Sequence, residues 1–345
     1  MPVVKGDSIK KNTIDEQGTM CPTMVEKCSV PGLLVTDKSY EYHLLGEILL
    51  WRVNMFVQQI ISGLAIGSIY ALVAIGYTLI WRALGVLNFS QGDLLMLGAY
   101  IGYQYNVLMN VNYIIAIVLT ILTSALVGLV YSGVLERVRG RKSRTDNMVV
   151  TIGLSTIIRN ICRIIWGAEP LAIPNIFEGQ NFRIFGATVP SIRIYISLIT
   201  VVLVIILTTF FSKAKWGRAL RAAAEDRNTA RLMGISVRKC DALTLMISSG
   251  LAGAAGILLA PIFYITADMG AYYGQKAFLS STIGGLGSLA GGLFGGYFLG
   301  IVEYLGAIYV SSGFKDIISF AVLIIVLIVL PNGFTNLFKS GKEKV

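Results

Sequence analysis

Charge is scarce in this chain: only 14% of its 345 residues are Asp, Glu, Lys or Arg, against about 25% in a typical soluble domain. Histidine is close to missing, with His43 the one copy, and the four cysteines (Cys21, Cys28, Cys162 and Cys240) are scattered. So small a supply argues against a disulfide framework, a histidine-based metal site or a histidine-dependent catalytic triad. No metal site is expected. The phosphate-binding sequence G-x-x-x-x-G-K-[ST] occurs nowhere, so the chain is not expected to hydrolyse ATP itself or to be an enzyme. A basic-then-apolar signal peptide is missing too.

Apolar residues take the place of charge. They make up 55% of the chain, mean hydropathy is +0.71, and they fall in runs long enough to cross a bilayer, which takes roughly 20 helical residues. Candidate spans lie near 56–81, 90–106, 112–135, 147–166, 192–211, 241–262, 290–310 and 315–330, with a shorter apolar stretch near 273–287. The expected fold is all-α, a polytopic transmembrane helix bundle of about eight to nine spans. Residues 1–54 differ, with six basic and seven acidic residues and no long apolar run. They read as a non-membrane extension: either an artefact of start-site choice, with Met55 the working start, or a small accessory tail. Residues 55–334 then form the membrane domain, and 335–345 a terminal tail.

The net charge of +10 is segregated. From Met55 onward, 16 of the 23 Lys and Arg fall in 136–146, 212–240 and the tail. Basic residues clustered in alternate loops follow the positive-inside rule, so the charge reads as topology rather than nucleic-acid binding. These segments are placed in the cytoplasm, which puts 167–190 outside, where Pro170, Pro174 and Pro190 break any helix. A cytoplasmic C-terminus then requires the short 273–287 stretch to enter the membrane as a broken or re-entrant element, tolerated only where protein or a cavity surrounds it.

Glycines spaced four apart, at 63 and 67, 98 and 102, 287 and 291, 292 and 296, and 296 and 300, lay bare patches on one helix face and let backbones approach. Gly285 and Gly287 are expected to permit a sharp turn where 273–287 meets the next span. Gly285-Leu-Gly287-Ser-Leu-Ala290 matches a dinucleotide fingerprint in form only, because no strand or βαβ unit surrounds it.

Two polar constellations interrupt the apolar runs. In Leu87-Asn88-Phe89-Ser90-Gln91-Gly92-Asp93, the polar groups are costly in lipid unless they face water, a helix or a solute. Ser90 and Asp93 also suit a capping box for the following helix. Capping and lining of a pathway both stand as readings. The second constellation, SKAKWGRALRAAAEDRNTARLMGISVRKC over 212–240, reads as a short charged helix carrying Arg221, Glu225, Asp226, Arg227 and Arg231, ended by Gly234. Its small residues Ala223, Ala224 and Ala230, with Gly234, are expected to give close contact to a cytoplasmic partner, with Arg221, Glu225 and Asp226 as rim charges. A solvated loop against lipid headgroups is the plainer alternative.

Three segments carry a family resemblance. GSIYALVAIGYTLIWRALGVLNFSQGDLLMLGAY (67–100), WGRALRAAAEDRNTARLMGISV (216–237) and KAFLSSTIGGLGSLAGGLFGGYFLGIVE (276–303) resemble the opening motif, coupling loop and glycine-rich C-terminal motif of the branched-chain amino-acid ABC transporter permeases. The likeness is to the first of the two permease types in such systems. Importer permeases for urea and small amides are close relatives. Gln91 stands where the family usually has His, and Ser90 where Ala is common, which bears on the choice of solute.

The resemblance implies an importer subunit in a bacterial or archaeal inner membrane. It implies pairing with a second homologous permease, two cytoplasmic ATPase subunits that bind ATP and magnesium, and an extracytoplasmic solute-binding protein. Asn88, Ser90, Gln91, Gly92 and Asp93, with Thr282, Gly284, Gly285, Gly287 and Ser288, become candidates for the translocation pathway. No cofactor is expected in this chain. The competing reading is a self-contained secondary transporter or channel, which would place ionisable groups in mid-span; Asp93, Lys276 and Glu303 are the candidates for that role.

Overall fold

A computed structural model describes residues 38–139, 144–174, 181–184 and 187–335, with side chains from Met55 onward except at 138–146, 181, 183–188 and 312. Residues 1–37, 140–143, 175–180, 185–186 and the tail beyond residue 335 lie outside the described residues, and with them most of the expected extension. The chain divides into two units, Met1–Arg52 and Val53–Val345. Every element discussed below belongs to the second, apart from the start of the first helix.

Among the described residues, eleven α-helices follow in order: α1 (Lys38–Leu84), α2 (Gln91–Tyr103), α3 (Tyr113–Arg139), α4 (Arg144–Trp166), α5 (Ser191–Lys213), α6 (Lys215–Glu225), α7 (Arg227–Leu232), α8 (Val237–Leu259), α9 (Met269–Gly284), α10 (Leu289–Tyr309) and α11 (Lys315–Val329). A small antiparallel hairpin, β1 (Asn181–Ile184) with β2 (Ala187–Pro190), adds sheet to the all-α expectation. It sits in the proline-bearing loop before α5, and a bridge between Leu171 and Ile265 ties that loop to the α8–α9 connection.

Among the described residues, six helices are long and apolar enough to cross a membrane: Met55–Leu84 within α1, Tyr113–Arg137 within α3, Asn147–Trp166 within α4, and α5, α8 and α10. Helices also stand where spans were expected at 90–106 and 315–330, though neither is among those six. With 13 and 15 residues, α2 and α11 reach only about 20 and 22 Å at 1.5 Å per residue. A π turn, Gln104–Leu108, extends α2 by five residues. The short element expected at 273–287 is α9, 16 residues long and mostly buried.

Burial separates centre from periphery. The spanning windows of α1 and α8 are 83% and 78% buried, those of α4 and α5 only 11% and 22%. Around the centre, α3 lies along α8, α2 packs on α8 and α9, and α9 packs on α10. The glycines explain these choices. A Cβ on Gly98 would sit 2.3 Å from Gly253 Cα, and one on Gly256 would sit 2.0 Å from Leu95 O, so α2 and α8 touch backbone to backbone. Gly63 and Gly67 meet the backbone of α10 at Gly300 and Tyr297 in the same way.

The expected pair Gly287 and Gly291 is corrected, because Gly287 lies before α10 begins. Gly285 and Gly287 have φ of +94° and +95°, a region open to glycine and strained for other residues. They turn the chain from α9 into α10, where Ser288 accepts a hydrogen bond from Gly291 N at 3.1 Å. Replacing Gly256 with Leu should therefore lower stability by about 2 kcal/mol or more, since the opposing atoms are backbone and cannot repack. Gly153→Ala on α4, where a Cβ meets nothing within 4 Å, should leave stability unchanged or slightly raised. Thermal unfolding of the detergent-purified chains compares the two.

Candidate functional site

The turn between α1 and α2 gathers polar side chains in the protein interior. Asn88, Ser90, Gln91 and Asp93 are each 2% exposed or less. Ser90 Oγ donates to Asn88 Oδ1 at 2.8 Å, and Tyr131 OH on α3 donates to the same oxygen at 2.6 Å. Gln91 Nε2 donates to Ser248 O at 3.2 Å, while Ser248 Oγ donates back to Gln91 Oε1 at 3.1 Å. Gly92 lies against α9, where its missing Cβ would stand 2.0 Å from Gly270 O. The turn is thus bonded to α3 and α8 and wedged on α9.

The capping-box reading of this turn is corrected. Ser90 occupies the N-cap position of α2 but makes no side-chain cap bond. Asp93 turns instead to α4, accepting from Ser155 Oγ and pairing with Arg159 at 3.3 Å. The partly exposed Arg159 guanidinium outcompetes a local N–H for the buried carboxylate, since charged partners make the stronger bonds.

Below that pair lies a ladder that the sequence reading missed. Thr151, Ser155, Arg159 and Arg163 recur every four residues and so share one face of α4. Thr151 Oγ1 accepts from Phe89 N at 3.2 Å. Arg163 bonds Asp268, just before α9, at 2.9 Å. Trp166 Nε1 donates to Gln104 Oε1 at 3.0 Å. The i, i+4 polar spacing inside an otherwise apolar span was the available signal.

The glycine-rich candidates fall elsewhere. Thr282, Gly284, Gly285, Gly287 and Ser288 lie at the α9–α10 turn, and Thr282 Oγ1 donates back to Phe278 O at 2.9 Å within α9. Gly284 faces the backbone of Gly291. Thr282 and Gly285 also border a cavity of about 430 Å³ with Pro331, Asn332 and Thr335, and Phe334 N donates to Ile283 O at 3.1 Å. The bonds of this turn run to the C-terminal segment, whereas those of the Asn88–Asp93 turn run to α3, α4 and α8.

A third cluster joins α1, α9, α10 and α11. Lys276, 1% exposed, lies 2.7 Å from Asp316, 3.6 Å from Glu303 and 2.8 Å from Ser319. Tyr70 OH donates to Glu303 at 3.1 Å. Both mid-span charges flagged in the sequence therefore have partners of opposite sign.

The segment 212–240 contains two helices where one was expected. The chain breaks at Asp226 (φ −144°, ψ 112°), which ends α6 and caps α7 by accepting from Asn228 N and Thr229 N at 2.8 and 3.2 Å. These bonds, with one from the Thr229 hydroxyl, hold the Asp226 carboxyl below the usual carboxylate range. Gly234, φ +80°, reverses the chain after α7, in line with its expected role.

The small residues point the other way from expectation. Ala223 and Ala230 are buried within this chain at 5% and 4% exposure, and Ala224 lines a cavity with Leu79, Arg82 and Leu289. What projects is Leu232 and Met233, 88% and 78% exposed, along with Glu225 and Arg231. Arg221 borders the same cavity as Ala224. Arg227 ties the segment inward, donating to Ala83 O at the end of α1 at 2.6 Å and pairing with Asp241 of α8 at 2.5 Å.

Comparison with known proteins places a family over most of the chain. The family model described as "Branched-chain amino acid transport system / permease component" matches residues 59–327. The high-affinity branched-chain amino acid transport system permease protein LivH of Escherichia coli K12 is 34% identical over 303 residues, covering 84% of this chain and 98% of that protein. The corresponding permease protein BraD of Pseudomonas aeruginosa is 33% identical, with the same coverage. A probable branched-chain amino acid transport permease protein of Methanocaldococcus jannaschii is 29% identical over 81% of this chain and 92% of its own length.

The cap at Asp226 is open to direct test. Asp226→Asn keeps a good N-cap acceptor and should leave amide exchange across α7 unchanged, whereas Asp226→Ala should speed it clearly. Because the carboxyl's pKa is lowered in the folded chain, its contribution holds above the unfolded value and is lost as pH falls through the folded one. Protection in the parent should therefore persist at neutral pH and fade only in strong acid, with Asp226→Asn free of that acid step.

Proposed function

Because the chain belongs to the branched-chain amino acid transport system permease family, we propose that it works as the membrane-spanning permease of an ATP-driven importer and carries branched-chain amino acids inward. The observation that carries this reading is a family match running through six apolar helices and both polar segments. ATP and magnesium act in partner ATPase subunits, a second permease completes the pathway, and an extracytoplasmic binding protein delivers the solute. The chain lies in the cell membrane with the 212–240 segment and the C-terminus in the cytoplasm, supported by the clustering of basic residues.

The pairing of the ionisable groups favours this importer over a self-contained carrier. Asp93, Lys276 and Glu303 each have an opposite charge within 3.6 Å, so each already has a partner inside the bundle. The pathway assigned here runs beside the α1–α2 turn and the α9–α10 turn. In that arrangement Gln91 is held by α8 and Asp93 by α4. A shift of either helix frees polar groups for an amino acid's ammonium and carboxylate, while the apolar walls accept its side chain.

Coupling follows from the same geometry. Leu232 and Met233 form an apolar knob on a basic loop, suited to a groove on an ATPase surface. Arg227 links that knob to the last carbonyls of α1, four residues before Leu87-Asn88, and to α8 through Asp241. Movement of the docked loop is thereby passed to the two helices that hold the polar turn.

Uptake of labelled leucine, isoleucine and valine, in cells lacking their own systems but supplied with the partner genes, tests the assignment. Saturable uptake competed by all three is expected; uptake of urea or amides with no branched-chain competition overturns the solute assignment. Replacing Leu232 and Met233 with Glu should cut uptake by at least about tenfold, as loss of a docking anchor does. Both side chains are exposed, so membrane abundance should hold while ATP hydrolysis becomes independent of solute.

A further inference from the structure

α5 packs on α6 and β2, its neighbours in sequence, and bonds α1 through Arg193 and Ser62, while a gap separates it from α3 and α8. The gap is a groove of about 300 Å³ walled by Leu203, Ile206 and Phe210 on α5 and by Met246, Ile247 and Gly250 on α8. Its walls are almost wholly carbon, and no polar group within it calls for a solute. Past Ile206 and Phe210 it opens into a depression that reaches Thr209, Lys213 and Ala214.

Helical spacing fixes what stands at that mouth. Lys213 follows Ile206 by seven residues and Phe210 by three, so it shares their face of α5. Lys239 precedes Leu243 by four residues and Met246 by seven, both of which line the groove, so it shares their face of α8. Both lysines are exposed, and among the described residues neither has an acidic partner. Neighbouring charges are already matched, Arg238 by Glu136 at 2.5 Å and Asp241 by Arg227 at 2.5 Å. The mouth thus carries two unmatched positive charges above a dry, chain-wide slot.

We propose that the groove is a binding site for an anionic glycerophospholipid of the leaflet that meets the basic loop, with an acyl chain between α5 and α8 and its phosphate held by Lys213 and Lys239. From Lys213 to Leu203 the wall runs about 15 Å at 1.5 Å per residue, half the hydrocarbon thickness of roughly 30 Å. One acyl chain of one leaflet fits that depth. Helix-to-helix association in lipid favours small residues that bring backbones together. Here bulky Leu, Ile, Phe and Met side chains stand around the small residues Ala125, Gly250 and Ala254 and leave a slot, and the two unmatched lysines at its mouth favour an anionic lipid over the second permease.

The test is the full-length chain, extracted in mild detergent and exposed to mixed micelles holding equal phosphatidylglycerol and phosphatidylcholine, with retained lipid counted by native mass spectrometry. One firmly retained phosphatidylglycerol per chain is expected. K213Q and K239Q should each reduce the preference for phosphatidylglycerol by roughly fivefold, and K213R should keep it. Ile206→Trp, at an exposed wall position, should remove the retained lipid of either kind while leaving the elution profile intact. Equal retention of both lipids by the parent overturns the proposal, as does an undiminished preference in the double lysine variant. So does disulfide crosslinking from a cysteine at 206 to the second permease in the assembled importer, which would place a protein there instead.

Discussion

The contact of one helix backbone with another, with no side chain between them, is the constraint on which this structure is built. In lipid there is no hydrophobic drive to bring helices together, so association rests on close van der Waals fit and on polar bonds between helices. Gly98 on Gly253, Gly256 on Leu95, Gly92 on Gly270 and Gly284 on Gly291 supply that fit. These contacts set α2 and α9, both too short to span, deep among longer helices. Their broken ends are acceptable there because protein surrounds them.

Once the backbones are close, polar groups inside the bundle can reach one another. Asp93 reaches Arg159 on α4, and Lys276 reaches Asp316 at the start of α11 and Glu303 on α10, the helix that glycines bring against α9. An unpaired charge at such depth is heavily penalised, and removal of one partner leaves the other stranded. The pairs therefore register the helices more than they bind them. In the Asn88–Asp93 turn the same logic holds with neutral groups, where Tyr131 and Ser248 satisfy Asn88 and Gln91.

Much of this architecture was legible in the sequence. Six of the expected spans, the short element before α10, the glycine turn at 285–287 and the family itself could all be read there, because length, apolar runs and glycine spacing act locally. What was not legible depends on which neighbour wins. Ser90 and Asp93 look like a capping box until Arg159 and Tyr131 arrive from other helices. Asp226 looks like one more charge on a helix, yet its short side chain captures the N–H groups of Asn228 and Thr229 and breaks the helix in two. Ala223 and Ala230 look available to a partner, but small residues pack equally well against their own chain. The polar face of α4 lay in plain view and was passed over because the span met the test of apolarity as a whole.

The close contacts also differ in how they can evolve. Where glycine faces a side chain, as Gly102 faces Ile257 at 2.6 Å, an enlarged residue can be accommodated by trimming the opposite one, and a second-site suppressor has somewhere to arise. Where glycine faces a carbonyl, as Gly256 faces Leu95 O, no substitution across the contact can yield, since every residue carries the same backbone. Lineages of this chain are free to drift in pairs at the first kind of position and are held to glycine at the second, so within the one α2–α8 seam Gly102 and Ile257 should change together while Gly256 stays fixed.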